Sequence, residues 1–139
     1  MAVRIVRLGS PRVAGEGIRI GTVRRPPRGV PKERFAADDW YDVWFPNLAP
    51  SVETMKRGQA AETPAEWAAF VRKYKAEMTE PAAAHDLALL AVLSRTTNFS
   101  VGCYCADERR CHRSVLRQLL IARGATVAGQ VDQARDLGG

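Results

Sequence analysis

Residues 97–124 read TNFSVGCYCADERRCHRSVLRQLLIARG, and the rest of the chain can be arranged around them. Apolar or small residues occupy both faces of residues 98–104, a pattern typical of an interior β-strand. A polar loop follows and leads into a helix that Gly124 ends. The apolar stripe of this helix comprises Val115, Leu116, Leu119 and Leu120. The stretch therefore predicts a buried strand, a polar loop and an amphipathic helix.

Shorter patterns on either side predict the remaining elements. Apolar and polar residues alternate in 3–8 and 17–23, which indicates two strands, and residues 125–131 could add a short last one. Thr63 and Pro64 open one predicted helix, and residues 82–94 form a second that is largely buried. We expect residues 52–62 to be a polar connection and 132–139 a flexible tail. These elements favour a compact single α/β domain over residues 1–139, with a mixed or mostly parallel sheet covered by helices.

Composition narrows the class of protein. At 139 residues, with 46% hydrophobic and 26% charged residues, the chain suits one globular domain and not a disordered one. No run of 18 apolar residues predicts a membrane span, and the first residues do not resemble a signal peptide. All three cysteines lie within residues 103–111, which is no disulfide framework and favours a reducing cytoplasm. The net charge of +6 favours a polyanionic or phosphorylated partner.

The loop between the predicted strand and the last helix is the candidate site. Ligands of open α/β sheets bind beyond the carboxyl ends of strands, and a helix N-terminus offers free N–H groups to an anion. The predicted ligand-binding residues are all arginines: Arg113, Arg110 and Arg109 from the loop, and Arg28 and Arg24 from the proline-rich segment 24–35. The first expectation is therefore an anionic, phosphorylated ligand such as a nucleotide or nucleic acid.

A thiol-dependent enzyme is the alternative, so whether the chain is an enzyme stays open. Cys105 or Cys111 would attack an electrophile, and His112 or Glu108 would move protons. A cysteine at a strand end with an arginine a few residues later is loosely similar to rhodaneses and cysteine phosphatases. Residues 106–113 contain no glycine, whereas those enzymes hold anions in a glycine-rich loop. We therefore place this alternative second.

Zinc binding and partner binding are lesser alternatives. Cys103, Cys105, Cys111 and His112 count to four ligands, but C-x-C-x5-C-H lacks paired C-x2-C motifs. Adjacent Cys111 and His112 would also converge with difficulty, so we assign no metal ligand and no cofactor. The aromatic residues in 40–45 are typical of core packing or of a dimer contact, which leaves a homodimer as a further possibility.

The motifs together resemble a known family. The pattern Cys105-Ala106-x-Glu108-x-x-Cys111-His112-Arg113 is similar to the C-A-E and C-H-R signature of the family called domain of unknown function 488. Residues 27–33 resemble the P-R-G-x-x-K-E segment of its YeaO-like branch. The resemblance implies a compact α/β domain in which the signature cysteines and arginine cluster, and it implies no particular activity. The chain departs from the branch at Pro26, where a tryptophan is usual, and it lacks a histidine in 55–62.

Overall fold

The computed structural model describes residues 1–129 and contains one four-stranded sheet. The strands are β1 (Val3–Arg7), β2 (Ile18–Gly21), β3 (Val43–Trp44) and β4 (Phe99–Cys103), in the spatial order β1-β4-β2-β3. Every pairing between neighbouring strands is parallel, so the sheet is wholly parallel. All five residues of β4 are buried between β1 and β2, which confirms the predicted interior strand.

Within residues 1–129, four α-helices accompany the sheet: α1 (Val52–Ala60), α2 (Pro64–Glu77), α3 (Pro81–Leu93) and α4 (His112–Ala122). The start of α2 follows the predicted capping box, because the Thr63 side chain accepts a hydrogen bond from the backbone N–H of Glu66. With parallel strands and helices in one chain, the predicted α/β class is confirmed. None of the helices in residues 1–129 combines the length and apolar character that crossing a membrane requires.

The helix α1 lies in residues 52–62, where we predicted a polar connection, so that prediction is wrong. Ser51 caps the helix, and Glu77 of α2 accepts hydrogen bonds from the Ser51 backbone N–H and the Thr54 hydroxyl. Gly58 packs so closely that a Cβ atom there would lie 2.8 Å from the Phe70 ring. The helix therefore depends on packing against α2, which its own polar and glycine-containing sequence does not reveal.

Two other predictions concern the end of the chain, residues 125–131 and 132–139. After α4, residues 123–129 make an isolated parallel bridge between Val3 and Val127 rather than a regular strand, and residues 130–131 of the predicted strand lie outside the described residues. The expected tail at 132–139 lies outside the described residues.

In the aromatic segment, Tyr41 is buried against Phe35 at 5.2 Å between ring centroids, as predicted for core packing.

The parallel sheet places the carboxyl ends of three strands at one edge. Register pairs Arg7 of β1 with Cys103 of β4, and Gly21 of β2 with Gly102. Thr22, directly after β2, donates hydrogen bonds from its backbone N–H and its hydroxyl to the Gly102 carbonyl. This edge is where the loop 104–111 leaves the sheet and leads into α4, so the fold brings the candidate site together here.

Candidate functional site

Three thiols and one imidazole meet at the carboxyl edge of the sheet, and we call Cys103, Cys105, Cys111 and His112 the thiol cluster. The ligand-type atoms of Cys103, Cys111 and His112 all lie within 4.8 Å of one another. The Sγ atoms of Cys103 and Cys105 are 3.8 Å apart, and Cys111 Sγ is 3.7 Å from His112 Nδ1. Cys103 ends β4, whereas Cys111 and His112 sit at the start of α4, so the strand–loop–helix fold assembles the cluster.

The expectation that adjacent Cys111 and His112 would not converge is wrong. Cys111 has an extended backbone, with φ −131° and ψ 152°, and His112 is the first residue of α4. Because side chains of neighbouring residues diverge in a regular strand but not across a change from extended to helical backbone, both can face Cys103. The change from extended to helical backbone at the start of α4 therefore lets both side chains contribute to the thiol cluster.

His112 is buried and held in one orientation. Its Nε2 atom lies 2.8 Å from the carbonyl oxygen of Thr22, which can only accept a hydrogen bond. The proton of the neutral ring is thus assigned to Nε2, and the lone pair of Nδ1 faces Cys111. Burial lowers the pKa of His112 to about 4, in spite of the opposing hydrogen bond to Thr22. The imidazole is therefore neutral near pH 7 and can accept at Nδ1.

The three thiols differ in exposure and in acidity. Cys105 is exposed, while Cys103 and Cys111 are buried. Hydrogen bonds from the Cys103 and Cys111 thiols lower the pKa of Cys105, and the positive charge of Arg113 acts in the same direction. The pKa of Cys103 is raised, first by its hydrogen bond to Cys105 and then by that to Cys111 and by burial. Within the cluster, negative charge therefore concentrates on Cys105.

Arg113 is the buried cation beside this cluster. It is 3% exposed, and its side chain donates to the carbonyl oxygen of Cys105 at 2.6 Å. Its Nε atom has no hydrogen-bond partner among residues 1–129, and no carboxylate in that range pairs with it. A buried guanidinium without a counter-charge is costly, which marks Arg113 as a group that responds to negative charge in the site.

The other predicted loop residues are placed differently. Arg110 lies over the Trp67 ring and donates to the carbonyl oxygen of Ala61. The side chain of Arg109 is 91% exposed, and its contact is a long ion pair with Asp107. Of the two, only Arg110 is positioned within a concave surface.

Glu108 pairs with Arg117 of α4, both of its oxygens accepting hydrogen bonds at 2.7 and 2.9 Å. The ion pair that holds the loop is thus made with Arg117 of the last helix and not with the nearer-in-sequence Arg113. With both oxygens engaged by a guanidinium, Glu108 is poorly placed to accept a proton from a thiol. Its role in the structure is to fix the loop on the last helix.

A cleft of about 1440 Å³ opens above the thiol cluster, and all four cluster residues line it. Arg24 and Arg28, predicted from the proline-rich segment, line it too. The Arg24 guanidinium donates to the carbonyl oxygens of Pro50 and Ala49, while Arg28 is exposed. Neither Arg113 nor Arg109 is part of the cleft lining. The structure therefore brings two distant segments together around the cysteines, as the sequence predicted for Arg24 and Arg28.

Sequence reasoning missed Arg7 and Lys56, which also line the cleft, as does Arg25 of the proline-rich segment. Arg7 ends β1 and donates to the Tyr104 carbonyl oxygen, and Lys56 lies on the unpredicted helix α1. A signal for Arg7 was present, because parallel strands end at one edge and Arg7 follows a strand pattern. Nothing local pointed to Lys56.

Comparison with known proteins gives a family and no nearer relative. A family model described as DUF488-N3a, the active DUF488-N3 subclade, matches residues 3–124. No curated protein and no solved structure matches the chain. The match spans β1 to the end of α4, so it includes every residue of the thiol cluster.

Proposed function

Since the chain belongs to the DUF488 family, as the resemblance predicted, and matches a subclade described as active, we propose a ligand for the cleft on the basis of the residues that line it. The cleft binds an anionic, phosphorylated ligand, a nucleotide or a stretch of nucleic acid, beside the Cys105–Arg113 loop. The three free cysteines suit a protein that works in a reducing cytoplasm.

The charge of the cleft lining carries this proposal. Among the described residues, no carboxylate lines the cleft. Six cations line it: Arg7, Arg24, Arg25, Arg28, Lys56 and Arg110. A concave surface with one sign of charge concentrates ligands of the opposite sign. In residues 1–129, the side chains of Arg25, Arg28 and Lys56 make no hydrogen bond or ion pair, so their charges are available to a ligand.

The apolar part of the lining supports a ligand that also carries bases. Trp40, Trp67 and Tyr104 are partly exposed and line the same cleft as the cations, whereas Phe70 in its wall is buried. Aromatic side chains provide stacking surfaces for bases of any sequence, while arginines and lysines follow the phosphates. The volume of about 1440 Å³ also exceeds the roughly 300–1,000 Å³ of typical small-molecule pockets. These features favour several linked nucleotides over a single small anion.

Arg113 and the start of α4 contribute to anion binding through their positive electrostatic field. Arg113 is buried behind Cys105 and does not line the cleft, so its charge acts at short range without direct contact. The eleven-residue helix α4 directs the positive end of its dipole toward the same place. Both favour negative charge at the floor of the cleft.

Fluorescence polarisation with a labelled single-stranded oligonucleotide tests the proposal. The variant R25A/R28A removes two cations of the cleft, and R72A/K75A removes two exposed cations of α2 as a matched control. We expect the cleft variant to weaken binding roughly tenfold and to make the log–log salt dependence shallower by about 1.4, since each phosphate contact on a single strand contributes about 0.7. Equal losses in the two variants would mean that only net charge matters, and the cleft proposal would then fail.

A thiol-dependent enzyme is the second candidate, favoured by the position of Cys105. This cysteine is exposed at the cleft floor, beside Arg113, whereas Cys111 is 2% exposed and out of reach of an external electrophile. Cys105 is therefore the nucleophile of this alternative, and Cys111 is not. Alkylation by iodoacetamide, followed by peptide mapping on chelator-treated, reduced protein, should modify Cys105 first and unusually fast near neutral pH. Ordinary rates at all three cysteines would remove this candidate.

A further inference from the structure

We infer that the thiol cluster is a metal centre, in which Cys103, Cys111 and His112 hold a thiophilic divalent cation of the zinc class and Cys105 closes the fourth position. This inference does not rest on the proposed ligand of the cleft. It assigns the floor of the cleft to a metal, which the sequence patterns left as a lesser alternative.

Two distances within the cluster match those expected between the ligands of tetrahedral zinc. Zinc binds thiolate sulfur at about 2.3 Å and imidazole nitrogen at about 2.0–2.1 Å, so tetrahedral ligand atoms lie about 3.5–3.8 Å apart. The Cys103 and Cys105 sulfurs are 3.8 Å apart, and Cys111 Sγ is 3.7 Å from His112 Nδ1. Three thiols and one imidazole are also the donor set that zinc prefers over magnesium or calcium. The ligand-type atoms of Cys103, Cys111 and His112 all lie within 4.8 Å of one another, so a bound ion would draw the three side chains closer together.

The orientation of His112 is the second and independent observation. Metal-bound histidines generally donate their other ring N–H to a carbonyl or carboxylate, which fixes the tautomer and the ring. Here Nε2 donates to the Thr22 carbonyl at 2.8 Å and leaves the lone pair of Nδ1 directed at the sulfurs. Thr22 is itself fixed by two hydrogen bonds to the Gly102 carbonyl. The His112 ring also packs nearly perpendicular to the Tyr74 ring, at 5.5 Å between ring centroids.

The charge of Arg113 completes the case. Three thiolates with one divalent cation carry a net negative charge, and burying that charge requires a nearby cation. Arg113 is 3% exposed, donates to the Cys105 carbonyl, and has no carboxylate partner in residues 1–129. A thiolate–metal centre supplies the counter-charge that this buried guanidinium lacks. The same residue thus explains how a negative centre is tolerated below the cations of the cleft.

Elemental analysis of the purified full chain is the first test, with cobalt substitution as its spectroscopic form. We expect one zinc ion per chain, and Co²⁺ should give the thiolate charge-transfer and intense visible bands of tetrahedral sulfur ligation. H112A should lose both signals, whereas H85A, which removes the exposed second histidine, should keep them. A chain that contains no metal and shows no cobalt bands would overturn the inference, whatever its affinity for oligonucleotides.

Serine variants test the individual thiols. C103S and C111S should lose stoichiometric metal, whereas C105S should retain it with an affinity reduced about tenfold or more, because the other three ligands remain. Unchanged affinity in C105S would remove Cys105 from the centre. If the buried variants do not fold, thermal unfolding of the wild-type chain decides, because added Zn²⁺ should raise the melting temperature and a chelator should lower it. No shift in either direction would contradict a folded-state metal centre.

Discussion

Two buried arginines lie on the same small domain, and their surroundings are opposite. Arg19 of β2 is 0% exposed, and its guanidinium donates to both oxygens of Glu16 and to the carbonyl oxygens of Ser10 and Asp39. Arg113 of α4 is 3% exposed, donates to one carbonyl oxygen, and has no carboxylate partner in residues 1–129. One charge is fully balanced by the fold, and the other is not.

This difference separates a structural charge from a charge that belongs to a site. Glu16 also accepts hydrogen bonds from the Ser100 hydroxyl and the Val13 backbone N–H, so the pair with Arg19 is saturated. Arg113 instead lies next to three thiols whose charge changes with metal or ligand binding. Partial satisfaction of a buried polar group is expensive, and proteins keep such groups mainly where function requires them. The two arginines should therefore respond in opposite ways to substitution.

The largest effect is expected at the saturated pair. R19M leaves the Glu16 carboxylate buried without its cation, which should reduce the free energy of unfolding by about 3–5 kcal/mol. Urea denaturation measures this loss, and R72M, at an exposed position of α2, is the matched control. A loss below about 1 kcal/mol in R19M would show that the buried pair contributes little, and the comparison between the two arginines would break.

Acid should weaken the same pair selectively. Burial alone would raise the pKa of Glu16, but hydrogen bonds from Arg19 and Ser100 outweigh it and lower the pKa to about 2 from 4.5. Because the folded-state pKa is the lower one, the stabilisation is complete above about pH 4.5 and is lost as the pH falls toward 2. It amounts to about 3 kcal/mol. Stability measured from pH 6 to pH 2 should therefore fall less in E16Q than in wild type, and parallel curves would contradict the assignment.

The strand–loop–helix stretch was predictable because its signals are local. Phe99 to Cys103 carry small or apolar side chains on both faces, and the stripe of α4 recurs at helical spacing. The loop that contains Cys105 and Cys111 was therefore placed at the carboxyl edge of the sheet from sequence alone. The convergence of Cys111 with His112 was not predictable from ligand spacing, because it depends on the change of backbone conformation at the first residue of α4.

The opposite side of the cleft was less predictable because its signals are tertiary. The helix α1 contains Gly58 and is stabilised by Glu77 and Phe70 of another helix, so its own sequence favours a loop. Lys56 was missed together with it. The partner of Glu108 was also unpredictable, since choosing Arg117 over Arg113 requires knowing how the loop meets the helix. Local sequence patterns were enough to predict the floor of the cleft. Its wall, which includes α1, depends on tertiary packing that the sequence patterns do not reveal.

A smaller effect on stability than that of R19M, or a gain in stability, is expected at Arg113. R113M removes an unbalanced buried charge, so the metal-free protein should change in stability by less than about 1 kcal/mol or become more stable. Zinc affinity, measured by chelator competition, should instead fall about 10- to 100-fold, because a group that supports the ligands is lost. If R113M destabilised the metal-free protein as much as R19M does, Arg113 would be a structural charge like Arg19.

The smallest effect is expected at the half-buried pair of Glu108 and Arg117, which lies between the two extremes. Its side chains are 31% and 19% exposed, and the two-point contact at 2.7 and 2.9 Å is partly screened by water. E108Q should therefore cost no more than about 1 kcal/mol in urea denaturation. Because the pair anchors the loop 105–111 on α4, the same variant should raise hydrogen exchange at the loop amides while leaving β4 unchanged. Unaltered loop exchange would mean that the thiol cluster is held by its own contacts and not by this ion pair.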